Sequence, residues 1–365
     1  PRRTNLLLFS NNAFAMDLYH QVRGQDGNLI LSPLSASSML AMLWAGARGE
    51  TATEMARALR LDAPREQAYE GFGELMDQLD APRELRGTKA YELHMANALW
   101  PGEQLSLRPE YVERVRRTFQ AGIEPLDYSR SAAARKTIND WAAERTNDKI
   151  QDLIPAGLLS AATRLVLTNA VYFKSQWQHA FEEAATRTEP FRTAADESID
   201  CEMMHQTRHY RYLRTDDAQM VELPYLGGDL SMLVLLPREV DGLPALEASL
   251  TAEKLHRWSE QAQSVRVQLA MPKFTFTGSA ALRSHLMEMG MRRALGPGAD
   301  FSGISDGDLF IQEVLHKAFV RLDEKGTEAA AATAIVMVTG APITQEPVVF
   351  RADHPFLFVI RHNRT

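Results

Sequence analysis

In the first third of the chain, apolar residues recur every three or four positions. That spacing predicts helices over Asn5–Val22, Ser32–Leu43 and Pro64–Leu79, the last more polar than the others. Ser32 can accept from first-turn amides, and Pro33 suits the first helical position, where an N–H has no partner anyway. Thr51 and Glu54 have the spacing of a reciprocal cap ahead of Met55–Leu59. The middle of the chain alternates. Tyr91–Trp100 reads as a strand and Pro109–Phe119 and Ser131–Arg145 as helices. Arg164–Phe173 is a nearly unbroken apolar run and reads as a strand buried on both faces. Ala218–Pro237 reads as two strands around a Gly-Gly-Asp turn. Val265–Thr277 reads as a strand, Ser279–Met289 as a helix, and Ile311–Asp323 and His354–His362 as further strands. Helices first and strands later predict an α+β fold with large, mostly antiparallel sheets. No repeat, low-complexity tract or linker divides residues 1–365, which read as a single domain.

One stretch defies this reading. EKGTEAAAATAIVMVTGAP, from Glu324 to Pro342, begins with alanines that favour helix and ends in β-branched residues that favour strand. As a strand from Thr327 it has two usable faces. One carries Thr327, Ala329, Ala331, Thr333, Ile335 and Met337. The other carries Glu328, Ala330, Ala332, Ala334, Val336 and Val338. No proline occurs between Phe319 and Ala341, so every amide there is free to join a ladder. A segment this small and two-faced suits an exposed loop that later enters a sheet.

Composition narrows the function. A chain of 365 residues with 45% hydrophobic content can bury a large core, and a net charge of −7 gives no reason to expect nucleic acid. Its one cysteine, Cys201, rules out an intrachain disulfide and reads as a packing residue. No apolar run approaches the ~18 residues of a membrane-spanning helix. The chain starts at Pro1 without a signal-like core. Phosphate-binding glycine loops, HExxH, GxSxG and SxxK are all absent, which argues against an enzyme. His205 and His209 have i,i+4 spacing but lie in a stretch that reads as strand or loop, so no metal and no cofactor are expected. Asp300–Asp308 fails the calcium-loop pattern. Ser32, Ser35, Asn169 and His316 sit in apolar contexts and read as hydrogen-bonded core groups rather than a catalytic set.

SPLSAS, NALW, INDW, LTNAVYFKSQW, PKF, DFSG, HKAFVRLDEKGTEAAAAT and ADHPFLFVIRHN occur in that order along nearly the whole chain. This set resembles the serpin family, and inhibitory members of prokaryotic or clade-B type in particular. The resemblance implies three β-sheets, eight or nine helices and an exposed reactive-centre loop at about residues 327–345. It implies a monomeric suicide inhibitor of serine proteases, extracellular or secreted, with a cytoplasmic location as the alternative. The cut loop of such an inhibitor inserts into the main sheet and traps the protease covalently. A non-inhibitory carrier or chaperone is the alternative. The family also implies a buried strand beyond Thr365.

By the same resemblance, Glu324, Gly326, Thr327, Glu328, Ala329, Ala330, Ala331, Ala332 and Thr333 form the hinge. Ser32, Ser35, Asn169 and His316 form the shutter, a polar cluster beneath the opening point of the sheet. Trp177, Lys273 and Glu324 form the breach, where insertion begins, with Glu324 and Lys273 paired as a surface ion pair. The reactive bond falls among Val338, Thr339, Gly340 and Ala341. That window holds no Arg or Lys, so the expected target is a chymotrypsin-, elastase- or subtilisin-like protease, with no membrane partner.

Overall fold

The computed structural model describes residues 2–82, 84–85, 88–327 and 346–364. The described helices are α1 (Arg2–Val22), α2 (Pro33–Gly46), α3 (Gly49–Ala58), α4 (Arg65–Asp80), α5 (Pro109–Phe119), α6 (Ser131–Arg145), α7 (Leu243–Ser249), α8 (Ala252–Gln261) and α9 (Arg283–Glu288). The strands begin with β1 (Glu84–Leu85), β2 (Thr88–Lys89), β3 (Tyr91–Pro101), β4 (Gly122–Ile123) and β5 (Leu165–Gln176). Next come β6 (Arg187–Ala194), β7 (Glu197–Arg214), β8 (Ala218–Pro224), β9 (Leu230–Pro237) and β10 (Gln263–Pro272). The last are β11 (Phe274–Ala281), β12 (Glu313–Asp323), β13 (Gly326–Thr327), β14 (Val348–Arg351) and β15 (Leu357–His362).

Among the described residues these strands form a six-stranded sheet in the order β11-β12-β13-β5-β3-β4, a seven-stranded sheet in the order β14-β10-β7-β8-β9-β15 with β6 on β7, and the β1–β2 hairpin. Contacts group the chain into two compact units: Pro1–Ala81, Leu93–Tyr172 and Phe276–Phe319 in the first, and Pro82–Glu92, Phe173–Thr275 and Val320–Thr365 in the second. Neither unit is a continuous piece of chain.

The first unit is built on α2. Ser32 caps it, its hydroxyl accepting from Ser35 N at 3.4 Å, and Pro33 opens the first turn. From Ser35 to Gly46 every residue is buried, as an all-round apolar helix requires. Gly46 is obligatory there, because a β-carbon would overlap Ile304. In the same unit, residues 313–318 of β12 run parallel to residues 166–171 of β5, with His316 opposite Asn169. Both faces of β5 are buried over Leu165–Phe173, as the continuous apolar run predicts.

The second unit contains the seven-stranded sheet. Its longest strand, β7, forms a hairpin with β6 and pairs with β10 over ten positions. Among the described residues β15 pairs with β9 alone, and no strand lies along its other edge.

Three local expectations change. Thr51 and Glu54 do not cap α3, whose N-cap is Arg48. Thr51 instead accepts from Asp300 N at 2.8 Å, and Glu54 accepts from Arg292 N and Arg293 N. The strand expected over Val265–Thr277 is two strands, β10 and β11, divided at Lys273. The helix expected from Ser279 starts only at Arg283, because β11 runs through Ala281.

Candidate functional site

Two groups of polar residues sit along β5 and β12. The first, in the first unit, joins four elements through one histidine. Ser32 N donates to His316 Nε2 at 2.9 Å, so that nitrogen is unprotonated. His316 Nδ1 then carries the proton and donates to Asn169 Oδ1 at 2.5 Å. Asn169 Nδ2 donates to Asn97 Oδ1 at 2.5 Å and to Ser35 Oγ. The chain of bonds thus ties the start of α2 to β12, β5 and β3. Ser35, Asn97, Asn169 and His316 are all buried, and burial pushes the imidazole down to about 4. A neutral ring that both donates and accepts is what the network needs. Asn97 belongs to this cluster and was not singled out from the sequence. Its partner lies 72 residues away, a relation no local pattern reveals.

The second group lies in the second unit, where β12 ends. There the chain turns through Glu324 and Lys325 and starts back as β13. Gly326 and Thr327 pair antiparallel with Asp323 and Leu322 of β12 on one side and with Gln176 and Ser175 of β5 on the other. Gly326 has φ +150°, and a β-carbon there would strike the backbone of Ser175 and Gln176. Only glycine holds that conformation without strain.

Trp177 clamps the turn. Its indole N–H donates to Asp323 O at 3.0 Å and its backbone N–H to Lys325 O at 2.9 Å. Lys273 Nζ reaches Glu324 Oε1 at 3.0 Å, and Thr186 Oγ1 donates to the same oxygen at 2.7 Å. The sequence reading puts this ion pair on the surface; the structure corrects that, because Glu324 is buried. Burial acts to raise the Glu324 carboxyl, but the Thr186 hydroxyl, a backbone N–H and Lys273 together hold it below the usual carboxylate range.

Tyr225 was missed from the sequence. Its ring stacks on Trp177 at 4.6 Å and 11°, and its hydroxyl shares a hydrogen bond with Thr327 Oγ1 at 2.7 Å. Thr327 is 1% exposed and Glu324 5%, so the side chains expected to begin the hinge are already core.

The structure thus joins Ser32, Ser35, Asn169 and His316 in one cluster and Trp177, Lys273, Glu324, Gly326 and Thr327 in another. Glu328, Ala329, Ala330, Ala331, Ala332, Thr333, Val338, Thr339, Gly340 and Ala341 lie outside the described residues. His205 and His209 sit four positions apart on strand β7 rather than on a helix, and His205 Nε2 pairs with Glu189 Oε1 at 3.0 Å. Among the described residues no group of three or more His, Cys, Asp or Glu is placed to hold a metal, and no helix is long and apolar enough to cross a membrane.

Comparison with known proteins gives a consistent picture. A family model described as Serpin (serine protease inhibitor) matches residues 9–365. An uncharacterized serpin-like protein of Thermococcus kodakarensis is 41% identical, over 97% of this chain and 82% of its own. A leukocyte elastase inhibitor of Sus scrofa is 38% identical, over 97% of this chain and 95% of its own. Among solved structures, Serpin48 of the insect Tenebrio molitor, described as a highly specific serpin, superposes with a TM-score of 0.87 at 31% identity. That match covers 98% of this chain and 95% of the other.

Proposed function

The chain belongs to the serpin family, and from that premise we propose that it inhibits serine proteases as a suicide substrate. The protease's serine oxygen attacks a carbonyl within residues 338–341, an ester forms, and the amine on the far side leaves as a new chain terminus. The freed segment then continues the course of β13 between β12 and β5, carrying the acyl-enzyme with it before water reaches the ester. This is the strand-addition mode for which serpins are an established example.

One observation carries the reading. β12 and β5 pair directly over residues 313–318 and 166–171, yet Gly326 and Thr327 already sit between the same two strands further along. Where β12 and β5 part to admit it, the inserted strand exchanges one ladder for two, and each bond gained is about 0.5–1.5 kcal/mol net. The uncut loop is tethered at its far end by β14, which pairs with β10, so full entry waits for the cut. The native state is then held kinetically.

The target we favour is elastase-like. Supporting this are the small, uncharged residues at 338–341 and the similarity to leukocyte elastase inhibitors. The same reading has a secreted monomer take one protease per molecule. Incubation with a panel of serine proteases tests it. Denaturing gels are expected to show an adduct with elastase- or chymotrypsin-like enzymes, and mass spectrometry of the released peptide fixes the bond. Cleavage without adduct across the whole panel would instead identify a non-inhibitory member.

A further inference from the structure

We propose that the groove between the C-terminal turns of α5 and α6 binds a small organic monoanion with an apolar body, an aromatic or fatty carboxylate. The groove belongs wholly to the first unit, is open to solvent along one side, and offers about 380 Å³, the size of a small-molecule site. Its apolar wall is made by Trp100 of β3, Ile123 of β4 and Trp141 of α6. The two indoles meet edge to face, 5.4 Å between centroids and 87° between planes. Trp100 is fixed from behind. Its N–H donates to Thr168 Oγ1 at 2.8 Å, and its carbonyl accepts from Tyr128 OH at 2.6 Å. A ligand therefore meets a wall that is already ordered, which lowers the cost of binding.

The charge in the groove is unspent. Arg116, in the last turn of α5, and Arg145, in the last turn of α6, both line it. Among the described residues neither guanidinium has an ion-pair or hydrogen-bond partner, and neither does the Trp141 indole N–H. Glu124 is the one acid in the lining. Two guanidinium groups against one carboxylate leave a single positive charge, which suits a monoanion and not a polyphosphate or sulfated chain. Guanidinium groups engage a carboxylate in a forked geometry, and the indole faces receive an apolar body. Basic residues in a last helical turn also offset the helix dipole. Arg117 serves α5 in that way without lining this groove, so the dipole alone does not explain why Arg116 and Arg145 both line it.

The probe is 1-pyrenebutyrate, whose absorption overlaps tryptophan emission. Titration is expected to quench tryptophan fluorescence saturably, with calorimetry giving one site and a Kd below about 100 µM. Arg116→Ala with Arg145→Ala is expected to weaken binding at least tenfold, and the neutral 1-pyrenebutanol to bind at least tenfold more weakly than the acid. Both arginines are exposed, so the double variant is expected to fold, and its melting curve checks this. Trp141→Ala supplies an independent loss of affinity. Absence of saturable binding, equal affinity for the alcohol, or an unchanged Kd in the double variant would overturn the proposal. No protease enters the assay, so its failure leaves the inhibitor reading standing.

Discussion

His316 and Glu324 carry opposite charges when ionised, yet both make the fold sensitive to acid. The His316 imidazole is lowered from about 6.5 to about 4 by burial, so the unfolded chain binds more protons than the native one between those values. Stability is present above about 6.5 and is lost as pH falls towards 4, by about 3 kcal/mol in all. Glu324 is lowered by its partners, so its contribution is lost only below the usual carboxylate range. Urea unfolding followed from pH 8 to pH 4 should show the loss already under way at pH 5.5. His316→Gln should start less stable at pH 8 and show a flatter profile over the same span. A wild-type curve that stays level down to pH 4.5 would contradict the assigned tautomer and network. At Gly326 the backbone itself is the constraint. Gly326→Ala must resolve a φ of +150° and a collision with Ser175, so a loss of about 1–3 kcal/mol is expected in denaturant melts. Tyr225→Phe removes only the hydroxyl on Thr327 and should cost about 1 kcal/mol while leaving the stack on Trp177 intact.

At the level of elements, the decisive one is β13, two residues long and bonded on both sides. Thr327→Arg puts a charge where 1% of the side chain is exposed, and burying an unpaired charge is strongly unfavourable. The variant should be cut by the same proteases but release them, so the ratio of inhibitor consumed to protease trapped rises severalfold. Undiminished adduct formation would show that β13 does not lead the insertion. Elements such as α2 and β5 were legible in the sequence because their cause is local: a Ser-Pro cap before an apolar run, and a continuous apolar stretch buried on both faces. The β6–β7 hairpin was not legible, because EPFRTAADESIDCEMMHQTRHYRY shows no steady alternation and its pairing depends on β10 arriving some sixty residues later. The Thr51 and Glu54 pair misled for a related reason. The right spacing was present, but the segment from Arg292 to Asp300 competes for both side chains. The site divides in the same way. Motif resemblance brought Ser32, Asn169, His316, Trp177 and Lys273 forward, whereas Asn97, Thr186 and Tyr225 appear only when distant strands meet.

For the whole molecule, the proposed mechanism requires that severing the loop release free energy held in the uncut chain. Limited proteolysis within residues 338–341, then calorimetry, should give a product melting well above the intact protein. Equal melting temperatures would show that the cut end does not enter the sheet. The seating of Gly326 and Thr327 between β12 and β5 also bears on how fast this happens. Starting an ordered segment is usually the slow step and extending it the quick one, as in helix formation. Here the first two residues are seated before any protease arrives, so strand growth after the cut needs no new start, only the parting of the direct β12–β5 pairs ahead of it. The lag between acylation and capture should therefore be short and independent of protein concentration, leaving the ester little time to meet water.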